Sequence, residues 1–274
     1  MDAGLVAEMS PQQQFRSEGF FVARQLLLPA EVKEIGGAFT AAAANGPVPG
    51  LSAPVADAGA TDPLARWPRI MHPHRHMESP LGPLTRRYLF DERIKALLWQ
   101  FLGTEAWAVN SMFYFKPPGA RGQELHQDNF YLRVRPGTCL AAWIAIDDCD
   151  AENGALQVVP GSQNMQTVCP EKADQTRSFT AAFVRPPAPL KPMVVDMQAG
   201  DALFFNGQII HGSGPNTSPH RFRRALIFHY IPAGSTELGE FYSALDFSGT
   251  AVGGIRLAVG GGPCGDEFAI QGPH

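Results

Sequence analysis

The sequence predicts a mainly β fold with flanking helices, and the helices lie towards the N-terminus. From Ala106 onward, short apolar strands recur at intervals of about 8–12 residues and are separated by turn residues, which is typical of a sandwich or a barrel. Before about residue 103, apolar residues follow helical patterns with recognisable start and stop residues. The 28 glycines and 24 prolines indicate many turns, as a strand-rich fold with long loops requires.

The length and composition indicate one globular domain. Of the 274 residues, 45% are hydrophobic and 18% are charged, and no repeat of solenoid period is present. We predict a single domain over residues 1–274. It would consist of N-terminal helical support at about 11–103, a β core at about 104–235 and a tail at 236–274.

Charge and hydropathy exclude several kinds of partner. The net charge is −4 and the basic residues are scattered, so nothing indicates a nucleic-acid surface. No apolar run approaches the roughly 18 residues that a membrane span needs. The first ten residues lack a basic segment followed by an apolar one, so we predict no signal peptide and a cytoplasmic location.

The cysteines form no C-x-x-C pair. We interpret them as reduced thiols of a cytoplasmic enzyme, although the sequence alone leaves one disulfide open. The four are Cys139, Cys149, Cys169 and Cys264.

The N-terminal elements are predicted from their start and stop signals. "EGFFVARQLL" predicts a strand entered through Gly19, and a helix opens at Pro29 and stops at Asn45-Gly46. Residues 46–63 are rich in Gly, Pro and Ala and predict an irregular surface loop. A second helix is expected from about Pro80 to Phe101, with Ser79 as its N-cap and Gly103 at its end.

The strands of the β core lie between turn signals. The predicted strands are "AWAVNSMFYF", "TCLAAWIAIDD", "ALQVVPGS", two strands around Ala199-Gly200-Asp201, and "RRALIFHYIP". The last thirty residues or so contain "VGGGPCG", a glycine cluster with no preceding strand and no following helix. That context is weak evidence for phosphate binding, and we expect a flexible tail.

The segment "ELHQDNFYLRVRPG" carries the most chemical information. His126 and Asp128 are two residues apart, so on an extended strand their side chains leave the same face. His211, in "FFNGQIIHGSGPN", follows an apolar strand and is the best candidate for a third ligand. Two histidines and one carboxylate on one side of an ion leave three coordination positions open, which is typical of non-haem Fe(II) oxygenases.

The strand after His211 carries arginines that indicate an anionic cosubstrate. A 2-oxoglutarate molecule would chelate iron at its keto-acid end and present a carboxylate at the other. A guanidinium binds such a carboxylate bidentately. Arg223 alternates with apolar positions and could point into the barrel, and Arg221 has the same parity and stays an alternative.

These motifs together resemble the phytanoyl-CoA dioxygenase family of Fe(II)/2-oxoglutarate oxygenases. The resemblance rests on "HQD", "AAWIAIDD", "ENGALQVVPGSQ", "HGSGPN" and "FRRALIFHY", with "EGFFVARQLLLPAEV" near the start. It covers nearly the whole chain except the 46–63 loop and the tail. It implies a double-stranded β-helix, or jelly roll, as the fold.

The resemblance also implies cofactors and site residues. Fe(II) would be held by His126, Asp128 and His211, and 2-oxoglutarate and O2 would complete the chemistry. Residues implied to contact 2-oxoglutarate are Arg223, Ser213, Met112, Trp143 and, as the loosest match, Arg69. The expected reaction hydroxylates an unactivated C–H bond of a small-molecule metabolite and releases succinate and CO2. Relatives that halogenate carry a small residue at the position of Asp128, so halogenation is disfavoured.

Alternatives with other chemistry stay open. The same cofactors could support desaturation, ring formation or epimerisation. A cupin-like isomerase or sensor would keep the triad without an arginine clamp, and Arg223, Met112 and Trp143 together argue against it. A zinc hydrolase built on "HPHRH" would need a different fold.

The substrate is not identified by the sequence, nor is the oligomeric state. We expect a small-molecule substrate, and the candidate residues for binding it are His72, His74, Asn129, Tyr131 and Arg133. His229 is interpreted as a core or sheet histidine.

Overall fold

A computed structural model describes residues 9–53, 59, 61–260, 264, 265, 272 and 273. The helices are α1 (Pro11–Glu18), α2 (Pro29–Ala42), α3 (Pro63–Arg66), α4 (Leu81–Leu89), α5 (Glu92–Leu102) and α6 (Asp128–Leu132). The strands are β1 (Phe20–Ala23), β2 (Ser52–Ala53), β3 (Arg69–Met71), β4 (Ala106–Tyr114), β5 (Gln123–His126), β6 (Leu140–Ala145), β7 (Leu156–Val158), β8 (Glu171–Lys172), β9 (Ala182–Phe183), β10 (Met193–Val194), β11 (Ala202–Asn206), β12 (His211–Ser213), β13 (Ala225–Pro232), β14 (Glu237–Gly239) and β15 (Arg256–Ala258). The prediction of a mainly β fold with flanking helices is confirmed.

Two sheets enclose the part of the core that matters for function. A seven-stranded sheet has the order β1-β11-β6-β13-β4-β3-β2, and a four-stranded sheet has the order β10-β7-β12-β5. Apolar side chains from both sheets form one buried cluster; Met112 and Trp143 come from the larger sheet and Leu156 and Val158 from the smaller. The inner faces of the two sheets therefore pack against each other.

The N-terminal helices cover the outer face of the larger sheet. Burial of Ile35 and Phe39 of α2 against this sheet supplies the apolar contact that α2 needs. The Phe39 ring stacks on that of Phe113 of β4, with centroids 4.1 Å apart. Helix α2 begins at Pro29, as predicted, and the Glu31 carboxylate accepts from the Leu28 N–H at 2.7 Å.

The single helix predicted from Pro80 to Phe101 is wrong, because the structure has two helices there. Helix α4 ends at Leu89 and α5 begins at Glu92. Asp91 between them is extended, and its carboxylate accepts from the Arg93 N–H at 2.8 Å. Aspartate is a strong N-cap residue, so it starts a new helix where apolar periodicity alone predicts continuation.

The segment predicted as a tail, residues 236–274, contains two strands, and the flexibility predicted for about the last thirty residues is wrong where they pair with the rest of the fold. Strands β14 and β15 pair in parallel, and Leu238 and Tyr242 are buried. Leu245 forms an antiparallel bridge with Ala108 of β4. The apolar residues of this segment complete a cluster at one end of the larger sheet, and this burial explains the order. The glycine cluster at 260–263 lies largely outside the described residues.

The interpretation of all four cysteines as reduced thiols is wrong for two of them. Cys169 and Cys264 form a disulfide, with 5.4 Å between their Cα atoms. The two cysteines are 95 positions apart in sequence, and no local spacing motif predicts such a pair. Cys139 and Cys149 are free and buried.

The loop predicted at 46–63 holds one short strand, β2, and its residues 54–58 and 60 lie outside the described part of the chain. No helix of the described residues combines the length and the apolar character that a membrane crossing requires.

The disulfide predicts a specific labelling pattern. In denaturant without reductant, iodoacetamide should modify Cys139 and Cys149 only, and after reduction it should modify all four cysteines. Intact-mass and peptide mass spectrometry measure both states. The Cys264→Ser variant should have a free energy of unfolding about 2–4 kcal/mol lower, because its unfolded chain gains conformational entropy. It should therefore unfold at a lower denaturant concentration. Four modified cysteines in the absence of reductant would contradict the pairing.

Candidate metal centre

Three metal-capable side chains converge between the two sheets. One ligand atom each from His126, Asp128 and His211 lie within 4.8 Å of one another, and all three residues are buried. Asp128 Oδ1 is 3.5 Å from His126 Nε2 and 3.4 Å from His211 Nε2. His211 faces His126 across the β12–β5 pair. Strand pairing thus joins ligands that are far apart in sequence.

The geometry that brings Asp128 to His126 differs from the predicted one. The two residues do not share an extended strand, because β5 ends at His126 and α6 begins at Asp128. Gln127 between them is fully buried, and its amide donates to the Gln208 carbonyl at 2.7 Å and accepts from the Val168 N–H at 2.7 Å. These bonds anchor the turn, so the carboxylate leaves from the start of a helix.

The two histidine rings are oriented by backbone carbonyls. His126 Nδ1 lies 2.8 Å from the Glu124 carbonyl, and His211 Nδ1 lies 3.1 Å from the Ile209 carbonyl. A carbonyl only accepts, so each Nδ1 carries the hydrogen and each Nε2 keeps its lone pair towards Asp128. Burial and the neighbouring His211 lower the pKa of His126, which favours the neutral form that binds a metal.

A third histidine, His229, contacts the other carboxylate oxygen of Asp128. His229 Nε2 lies 3.0 Å from Asp128 Oδ2, and its Nδ1 lies 3.2 Å from the Asn110 amide nitrogen. His229 is buried in β13, as expected of a core histidine, but its contact with Asp128 was not predicted. The available signal was that His229 lies an even number of residues from Arg223, so that both side chains leave the same face of an extended strand. Burial alone would raise the pKa of Asp128, yet His211 and His229 keep that pKa well below its usual value.

A pocket opens beside the triad on the side of β13. It is lined by the three triad residues together with others that include Met112, Trp143, Ser213 and Arg223. Arg223 is 2% exposed, its Nε donates to the Gly154 carbonyl at 3.1 Å, and its Cζ lies 5.3 Å from the Trp143 ring centroid. Its Nη1 is buried and has no hydrogen-bond partner among the described residues. Burial lowers the pKa of Arg223, although a guanidinium stays charged at any working pH.

The other two arginines of this region point away from the pocket. Arg221 pairs with Asp150 at 2.7 Å and with Glu152 at 3.2 Å. Arg224 pairs with Asp147 at 2.6 Å. Of the two arginines weighed from the sequence, the structure brings Arg223 to the triad and Arg221 to an acidic surface.

Arg69 lies in a neighbouring cavity. This cavity shares Tyr114 and Arg223 with the first pocket. Arg69 Nη1 donates to Tyr114 Oη at 3.2 Å. Lys116, which was not predicted as a site residue, lines the same cavity and donates to Ser213 Oγ at 2.7 Å. Its place before Pro117-Pro118 gave no chemical signal on its own.

The predicted substrate residues fall into different positions. Tyr131 is next to the triad, with its ring 6.2 Å from that of His126, and burial raises its pKa to about 12. The Asn129 side chain accepts from the Val134 N–H at 3.0 Å, and Arg133 donates to the Val259 carbonyl at 2.9 Å. Neither Asn129 nor Arg133 lines the pocket beside the triad.

The histidines of the "HPHRH" segment, residues 72–76, differ in their contacts. His74 Nδ1 is bonded to Ser111 Oγ at 2.5 Å, whereas neither ring nitrogen of His72 has a partner among the described residues. His72 also adopts a left-handed backbone conformation, with φ 49°. Among the described residues, His72, His74 and His76 do not form a group of metal-capable side chains.

Fold and site together define a class of protein: a mainly β protein whose buried His-Asp-His group could hold a metal ion beside a pocket that Arg223 lines. The chain belongs to the phytanoyl-CoA dioxygenase family, whose model matches residues 15–225, and the predicted family is therefore confirmed.

Individual relatives agree with this assignment. Phytanoyl-CoA dioxygenase 1 of Oryza sativa subsp. japonica is 30% identical over 161 residues, which are 57% of this chain and 56% of that protein. A protein of Stutzerimonas stutzeri named probable alpha-ketoglutarate-dependent hypophosphite dioxygenase is 30% identical over 180 residues, 64% of this chain and 60% of that protein. The match thus spans less than two thirds of the length of these curated relatives.

A solved structure has a similar fold. The epimerase SnoN, solved in complex with Fe3+, alpha ketoglutarate and nogalamycin RO, superposes with a TM-score of 0.66 at 20% identity. The match covers 90% of this chain and 93% of that chain.

The contact between His229 and Asp128 predicts an effect on metal affinity. The His229→Phe variant removes the donor that orients the carboxylate, so affinity for Fe(II) or Co(II) should fall about 10–100-fold. Competition with a chromogenic chelator measures it. The matched control is His74→Phe, another buried histidine, which should keep the affinity even if stability falls. Equal affinity in the His229→Phe variant and the unaltered protein would contradict the role.

Proposed function

We propose that this chain is a Fe(II)/2-oxoglutarate-dependent dioxygenase that hydroxylates an unactivated C–H bond of a small-molecule metabolite. The observation that carries the proposal is one pocket with the His126–Asp128–His211 triad at one end and the buried, partly unpaired Arg223 guanidinium at the other. A dianion that chelates a metal and also presents a free carboxylate matches both ends.

The triad residues fit the binding of Fe(II). His126 and His211 offer their Nε2 atoms, and the low pKa of Asp128 keeps its carboxylate charged. When bound, Fe(II), 2-oxoglutarate and O2 supply the oxidising power, and succinate and CO2 are released. The protein supplies the geometry: carbonyls hold the imidazoles and His229 holds the carboxylate.

The other end of the pocket fits the free carboxylate of 2-oxoglutarate. Arg223 would bind it through Nη1, with Ser213 beside it, while the Trp143 ring packs against the guanidinium. Met112 adds apolar surface, which limits the access of water and strengthens the ionic contact. Arg69, joined to Tyr114, would act from the neighbouring cavity.

We further propose that the two packed sheets are the two halves of a double-stranded β-helix, within one domain that spans residues 1–274. The order of strands in both sheets and the similarity to SnoN support the fold. A cytoplasmic location stays a prediction, and the Cys169–Cys264 disulfide removes one of its supports.

Two alternatives to hydroxylation differ in what the site would do. SnoN is named an epimerase, and this supports epimerisation as an alternative outcome with the same cofactors. A cupin-like isomerase or sensor would have no use for Arg223, which is buried without a carboxylate partner among the described residues.

The proposed function is tested with the purified protein under anaerobic conditions. Addition of Fe(II) and 2-oxoglutarate should give a visible charge-transfer band, and the His126→Ala variant should lose it because one ligand is gone. In air, a metabolite panel should then reveal a substrate through succinate formation and a product of increased mass. Absence of the band in the unaltered protein, or its persistence in His126→Ala, would refute the proposal.

The two arginines provide a matched pair of variants. Arg223→Ala should weaken 2-oxoglutarate binding about 100-fold, because a buried charge-assisted contact to a carboxylate is lost. Arg221→Ala removes partly exposed ion pairs away from the pocket and should change the Kd less than twofold. Titration of the charge-transfer band gives both constants, and the reverse order of effects would move the clamp to Arg221.

A further inference from the structure

We propose that Lys116 is a positioning residue for the distal carboxylate of 2-oxoglutarate and that it acts through Ser213. Its amino group donates to the Ser213 hydroxyl oxygen, so the hydroxyl hydrogen is left to point into the pocket. This inference rests on the proposed function.

Lys116 is held beside Arg223 by the backbone. It follows the end of β4 at Tyr114, and its N–H donates to the Arg223 carbonyl at 3.1 Å while the Arg223 N–H donates back at 3.0 Å. The side chain is buried, with 3% of the residue exposed. Two cationic side chains are thus built into the same wall.

The Nζ atom of Lys116 has three acceptors, which match the three hydrogens of an ammonium group. They are Ser213 Oγ at 2.7 Å, the Gly214 carbonyl at 2.6 Å and the Gly154 carbonyl at 3.4 Å. Among the described residues, no carboxylate forms an ion pair with Lys116. Burial first, and then the nearby Arg223, lower its pKa well below the usual value, and an anion bound between them would oppose both effects.

Gly154 places one carbonyl between the two cations. Its oxygen accepts from Arg223 Nε at 3.1 Å as well as from Lys116. Gly154 has φ 75°, and a Cβ atom there would lie 2.6 Å from the Gly214 carbonyl oxygen and 3.0 Å from Lys116 Cδ. Only glycine fits this turn, so the backbone is arranged to hold both cations at the pocket.

The hydroxyl of Ser213 is polarised by this arrangement. Its oxygen accepts from Lys116, and its own hydrogen has no acceptor among the described residues. Ser213 and Arg223 both line the pocket beside the triad. The hydroxyl hydrogen and the unpaired Nη1 of Arg223 are therefore two donors available to one carboxylate, although Lys116 itself need not touch the ligand.

The experiment compares two ligands in four proteins. The proteins are the unaltered chain, Lys116→Met, Ser213→Ala and the double variant, each loaded with Ni(II). The ligands are 2-oxoglutarate and oxalate, which chelates the metal but has no distal carboxylate. Isothermal titration calorimetry gives each Kd, and Lys116→Gln runs in parallel in case Lys116→Met does not fold.

The expected result is selective and not additive. Lys116→Met should weaken 2-oxoglutarate binding about tenfold, because the hydroxyl donor is no longer oriented, and should change oxalate binding less than twofold. In the Ser213→Ala background, the same change should weaken 2-oxoglutarate binding less than twofold. Lys116→Gln, which keeps donors at this position, should lose less than Lys116→Met.

Other results have distinct meanings. If the unaltered protein binds no 2-oxoglutarate, the proposed function fails. If it binds 2-oxoglutarate and Lys116→Met binds it equally well, the inference alone fails. An equal loss for oxalate and 2-oxoglutarate, or a full tenfold loss in the Ser213→Ala background, would make Lys116 a purely structural residue.

Discussion

The site depends on keeping charges of both signs buried in one pocket without letting them neutralise each other. The Asp128 carboxylate lies at one end among three histidines, Arg223 lies at the other end, and Lys116 lies next to Arg223 in the neighbouring cavity. Isolated charges are costly inside a protein. Their separation is tolerable because each has hydrogen-bond partners, and because a metal cation with a chelating dianion would complete the balance.

The fold maintains this separation because the charged groups at the two ends of the pocket come from different parts of the β core. The carboxylate comes from the short helix after β5, fixed by the buried Gln127, whereas Arg223 and Lys116 face each other between β13 and β4. Met112 and Trp143 fill the space between with apolar surface. Core packing of this kind is dense, so neither end can move towards the other without opening a void.

Local signals explain which features could be predicted from the sequence. The series of short strands after Ala106 and the start of α2 at Pro29 are determined by residues close in sequence, and both were predicted correctly. The break at Asp91, the packing of the tail and the Cys169–Cys264 pair depend on competing caps or on contacts distant in sequence, and all three were missed. In the site, motifs indicated the triad and Arg223. His229 and Lys116 were not indicated, because each acts through another residue's side chain.

A similar contrast separates His72 and His74, two of the residues predicted to bind substrate. His72 follows Met71, which packs in the cluster that contains Met112, and it keeps a left-handed conformation with both ring nitrogens unpaired among the described residues. Backbone strain and unsatisfied polar atoms are tolerated chiefly where function requires them. Burial lowers the pKa of His72 to about 3, so the imidazole is neutral at physiological pH. A neutral ring can both donate and accept a hydrogen bond. Both ring nitrogens of His72 therefore remain without a partner among the described residues, whereas His74 is already bonded to Ser111 and serves the fold.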